Sequence, residues 1–139
     1  MATDGKIPLL SEELPGNALH IYDVSDKSNI RKIAKLEGAG DHTTSCILDY
    51  QWAYGSNGSI TDLCDTKDPK LKIQNWHKLT GLNEDGAHDA NEFKEGFLVT
   101  SPISDSFQIL DVRDPLDPKV LGRACAARKL PLPLGRVAA

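Results

Sequence analysis

Positive charge is scarce in this sequence. Sixteen Lys and Arg stand against 20 Asp and Glu, a formal net charge of -4 over 139 residues. The basic residues are scattered, which argues against a protein held on nucleic-acid phosphates by counterion release. Long apolar runs are also missing: none approaches the roughly 18 residues that a membrane helix needs, so no membrane span is expected. The start, Met1 to Leu10, has neither the basic residues nor the apolar stretch of a signal peptide. No export address is visible, and the compartment stays unknown. Cysteine is sparse, with Cys46, Cys64 and Cys125 only. An odd count without a C-x-x-C pair suggests neither a disulfide framework nor a thiolate zinc site. The expectation is buried, reduced thiols; a Cys46 nucleophile activated by His42 is the competing one. The chain also lacks G-x-S-x-G, a P-loop, H-E-x-x-H and a dinucleotide fingerprint.

What remains is an ordinary soluble composition, 40% hydrophobic and 26% charged, with a mean hydropathy of -0.35 and room for about one domain. Its organisation is a repeat. Leu19 to Ile33, Ile60 to Lys72 and Ile109 to Leu121 superpose without gaps. Asp23, Asp62 and Asp111 are followed three residues on by Asp26, Asp65 and Asp114, and four further on by Ile30, Pro69 and Pro118. From Asp23 to Asp62 is 39 residues and from Asp62 to Asp111 is 49, the range of a propeller blade. A second landmark precedes the last two copies: Gly40-Asp41-His42, then Gly86-Ala87-His88-Asp89.

Between the landmarks, segments rich in β-branched and aromatic residues alternate with Gly, Asn, Asp and Pro turn signals. The second unit reads as four antiparallel strands at Thr43 to Leu48, Gln51 to Gly55, Ser59 to Cys64 and Leu71 to Trp76. Gly55 to Ser59 reads as a hairpin turn. Cys46 and Cys64 then sit on strands two spacings of about 4.8 Å apart, too far for a disulfide. The Asp-x-x-Asp-x-x-x-Pro pattern has its own physical logic. Asp65 and Asp114 can accept backbone N–H bonds two residues on, while Pro69 and Pro118 enter a sheet edge where a missing donor costs little. The calcium alternative lacks D-x-D-x-D-G spacing, and Asn83-Glu84-Asp85-Gly86 is too short a match.

These segments, best preserved from Ile109 to Pro118, resemble the LVIVD-repeat proteins, whose repeat includes a strand starting near a His and a second strand similar to Trp52-Ala53-Tyr54. The resemblance covers Leu19 to Gly122. It implies an all-β fold of propeller-like blades, each of four antiparallel strands, more distantly similar to the selenium-binding-protein type of propeller. It implies little about function, because the roles of that family are mostly undefined; similar members are often exported or on the cell surface. The expected division is an N-terminal extension or truncated blade over 1–18, repeats over 19–122 (units 19–38, 39–78 and 84–122), and an Ala/Pro-rich tail over 123–139. About three blades fall short of a closed ring, so the expected object is a fragment or one subunit's share. Its open blade edges predict self-association.

His42 and His88, at equivalent positions by the innermost strand, are the candidate ligands for a divalent metal or an anionic group. The competing reading is that each locks a loop by bonding a neighbouring backbone. Asp41 and Asp89 flank them as candidate ligand-binding or orienting carboxylates. Glu92 with Asp89 is the acid–base alternative, with no second carboxylate or nucleophile at a matching repeat position. His20 and His77 read as surface residues, and Trp52, Tyr54, Trp76 and Phe107 as packing between blades. Asp23, Asp26, Asp62, Asp65, Pro69, Asp111, Asp114 and Pro118 are structural anchors. The function expected is a binding or scaffolding module for an unknown protein or small ligand, without a catalytic site or a required cofactor. The alternative is a metal-dependent enzyme built on His42 and His88. A third expectation is a fragment with no activity of its own.

Overall fold

Strand after strand, the chain turns back on itself in three antiparallel meanders. The structure, a computed structural model, describes residues 5–82, 86–102 and 106–124. The first sheet is β1 (Leu9–Glu12), β2 (Ala18–Asp23) and β3 (Arg31–Glu37). The middle sheet is β4 (Thr44–Ile47), β5 (Trp52–Gly55), β6 (Ile60–Asp62) and β7 (Lys70–Ile73). A short helix, α1 (Trp76–Thr80), leads to the third: β8 (Ala87–Lys94), β9 (Phe97–Pro102), β10 (Phe107–Asp111) and β11 (Lys119–Ala124). Within each sheet the spatial order follows the chain order. β1 lies inside segment 1–18, expected as an N-terminal extension or truncated blade, and Ala18 already opens β2. Cys125, the rest of the tail, and Asn83 to Asp85 lie outside the described residues.

The repeat is a local machine for ending one strand and starting the next. Asp23, Asp62 and Asp111 accept the backbone N–H of Ser25, Cys64 and Arg113 at 2.9, 3.0 and 3.1 Å. Asp26, Asp65 and Asp114 do the same for Ser28, Lys67 and Leu116 at 3.0, 2.9 and 3.1 Å. Two Asx turns in succession thus reverse each chain within a few residues. Pro69 and Pro118 follow, buried, immediately before β7 and β11. A bulge recurs two residues before each first aspartate. Pairing slips between Ile21 and Tyr22, between Ile60 and Thr61, and between Ile109 and Leu110, leaving Ile33, Lys72 and Leu121 as the extra residues and sharpening the local twist.

The sheets stack face to face, and the two gaps between them are the core. Leu19 and Ile21 of the first sheet meet Ala53 and Leu63 of the middle one. On its other face the middle sheet sends Ile47, Tyr54 and Ile60 against Ala90, Leu98, Leu110 and Val112. Each fully buried aliphatic side chain here contributes roughly 1.5–3 kcal/mol. Polar ties cross the second gap: Thr43 Oγ1 donates to His88 O at 2.6 Å, Ser45 Oγ to Ala90 O, and Tyr54 OH to Pro115 O at 2.6 Å.

Several expectations need correction. Trp76 opens a helix and not the end of a strand, because Asn75 caps it by accepting Lys78 N–H, and Gly81 closes it in the left-handed region. The indole is buried and donates to Gly55 O at 3.0 Å. His77, expected at the surface, follows Trp76 into the interior and is 7% exposed. Phe107, expected between sheets, is 45% exposed, since on β10 it is Gln108 and Leu110 that face the middle sheet. Cys64, expected to be buried, is exposed, because it lies past the end of β6 in the first Asx turn.

Candidate functional site

The two landmark histidines meet at one end of the stacked strands. His42 lies two residues before β4, and His88 is the second residue of β8. β4 and β8 are the first strands of adjacent sheets, so residues 46 apart in sequence come side by side. Their ring centroids are 4.4 Å apart with planes crossing at 62°. The approach is held in place from beside it, where Thr43 and Ser45 donate to the backbone of β8.

Both rings present Nδ1 to a carboxylate. His88 Nδ1 lies 2.7 Å from Asp89 Oδ2, and His42 Nδ1 lies 3.5 Å from Glu13 Oε2. Each side chain is about half exposed, at 49%. A carboxylate on one imidazole nitrogen orients the ring and leaves Nε2 as the nitrogen for an outside ligand. Asp41 is not part of this pairing. Its carboxylate accepts from Ser56 Oγ at 3.4 Å, and its N–H donates to Ser11 Oγ at 2.8 Å. Among the described residues no group of three or more His, Cys, Asp and Glu side chains is arranged to hold a metal ion. The donor set at His42 and His88 is therefore two nitrogens.

The other reactive groups are engaged elsewhere. Burial pushes the Cys46 thiol up to about 12, which keeps it protonated and poorly nucleophilic near neutrality. Glu92 is separate from Asp89 in role: its carboxylate accepts Leu48 N–H at 3.1 and 3.2 Å and Gly96 N–H at 2.7 Å. That clamp steadies the turn after β4, where Leu48, Asp49 and Tyr50 have φ of 51°, 52° and 65°, a conformation that non-glycine residues adopt at a cost. His20 Nε2 lies 2.6 Å from Glu12 Oε2. His77 Nε2 accepts Ala87 N–H at 3.3 Å, and burial pushes its pKa down, with the Asp41 charge opposing.

Sequence reasoning missed Glu13, which has no repeat signal, and the amide clamp of Glu92. No protein-family model matches the chain, and a search of curated proteins finds no match.

Proposed function

We propose that this chain is a propeller-type repeat module of the LVIVD kind, each sheet a blade, and that it works by binding a ligand at the end where His42 and His88 meet. The observation that carries the reading is the 4.4 Å approach of the two rings, from matched positions beside the first strands of adjacent sheets. Support for the blade reading comes from the recurring Asx pair, the recurring bulge and the face-to-face stacking. Support for binding over catalysis comes from the state of the candidate reactive groups. Cys46 is held as a thiol, Glu92 is occupied by two backbone amides, and Asp89 is spent on His88.

A second reading, a metal-dependent enzyme, is favoured by one observation: both imidazoles lean Nδ1 on carboxylates, as metal-binding histidines do. Two nitrogens leave a divalent ion to complete its coordination with water or ligand. Metal analysis and a ligand screen read out by histidine NMR signals separate the readings, using the full chain and its His42→Ala/His88→Ala variant. The binding reading expects small-molecule or peptide ligands that shift both histidines and are lost in the variant, without stoichiometric metal. Stoichiometric Cu, Zn or Fe that the variant loses would replace it with the metal-dependent reading.

A further inference from the structure

The repeat register makes the three sheets comparable residue by residue, and it exposes a mismatch at the two ends of the stack. Ile21, Ile60 and Ile109 occupy one register position, and their cross-strand partners are Leu9, Tyr54 and Val99. In the first two sheets this face is covered by the sheet that follows: Ile21 and Ile60 are both 0% exposed. In the third sheet Ile109 is 43% exposed and Phe107, two residues before it, 45%. Among the described residues no sheet covers the Ile109 face as the following sheet covers Ile21 and Ile60.

The opposite face tells the complementary story. Thr61 and Leu110 share a position that packs toward the preceding sheet, and both are fully buried. Its counterpart in the first sheet is Tyr22, only half-buried. Two residues earlier, Ser59 and Gln108 are buried polar side chains that reach back to the connection entering their own sheet. Ser59 Oγ donates to Ala39 O at 3.0 Å and Gln108 Nε2 to Thr80 O at 3.3 Å. Their counterpart His20 turns instead to the edge of its own sheet, its Nε2 2.6 Å from Glu12 Oε2.

We propose that a second copy of this chain covers both faces: the Ile109 face of one copy packs against the Tyr22 face of the next, head to tail. The occupant is a second copy because the two open faces are the two halves of an interface the chain already forms twice within itself. Such a contact is heterologous, joining different patches of the two copies. It is separate from whatever binds at His42 and His88, so loss of ligand binding in the double-histidine variant leaves it untouched.

Light scattering on the full chain over a concentration series reads the association. Ile109→Lys places a charge on a side chain already exposed in one copy, so the variant folds, and its melt at low concentration matches the parent. It should weaken association at least about tenfold, equivalent to about 1.4 kcal/mol. Tyr22→Cys and Ile109→Cys, each placed in a chain otherwise freed of cysteine, test the orientation with a short bismaleimide. The mixture is expected to cross-link, and each variant alone is not. A parent that stays monomeric at all concentrations would overturn the proposal. So would Ile109→Cys chains that cross-link to one another, the mark of a face packed on its own copy, or association that survives Ile109→Lys.

Discussion

Tyr54 OH donates to the Pro115 carbonyl at 2.6 Å, joining the middle sheet to the Asx turns of the third across 61 residues of sequence. Burial pushes the Tyr54 phenol well above its usual pKa, so the group stays a donor at every working pH. Tyr54→Phe keeps the ring in the core and deletes this one bond. It should cost about 1 kcal/mol, read as a lower urea midpoint with an unchanged slope.

Gly40 and Gly122 should respond to alanine in opposite directions. A Cβ on Gly40 would lie 2.0 Å from Ala18 O, while one on Gly122 meets nothing within 4 Å. Gly40→Ala therefore forces the connection away from β2 and should destabilise by about 3 kcal/mol or more. Gly122→Ala, in a strand with open space around it, should gain up to about 1 kcal/mol by restricting the unfolded chain. Thermal melts of the two variants beside the parent decide it.

His77 makes stability depend on pH near neutrality. Burial lowers its folded-state pKa below the ordinary 6.5, so between those two values the unfolded chain binds the extra proton. Stability then falls as pH drops below about 6.5 and continues falling down to the folded-state pKa. His77→Gln removes this dependence. The difference in melting temperature between parent and variant should shift with pH across that window, in the direction of parent loss at acid pH.

Asp111 acts at lower pH. The Arg113 guanidinium and backbone N–H hold its carboxyl down to about 2. Its contribution is full above the unfolded value near 3.8 and is lost as pH falls toward 2. Asp111→Asn can still accept Arg113 N–H through its amide oxygen, so the Asx turn survives at pH 7, and the acid limb of the stability profile becomes shallower. Asp111→Ala loses the turn as well and should melt below the Asn variant at every pH.

The turns were the most legible part of this protein. An aspartate whose partner is two residues away needs no distant help, and all six repeat aspartates make that bond. Strand existence was legible too, since β4 to β7 fall on the expected segments. Their ends were not: the fourth strand stops at Ile73, and the residues that read as its continuation enter α1. Trp76 and His77 had strand-like or surface character by composition. Their placement depends on Gly55 O and Ala87 N–H, groups 21 and 10 residues away.

By itself the sequence determined the repeat, because its anchors act through bonds spanning two or three residues, and the all-β character that the repeat punctuates. Only the tertiary structure decided which histidine is buried, which face of the third sheet stays open, and that His42 and His88 meet. Those outcomes depend on which sheet covers which. That covering is fixed by side chains packed across the gaps from segments some 40 residues apart, where short-range spacing carries no information.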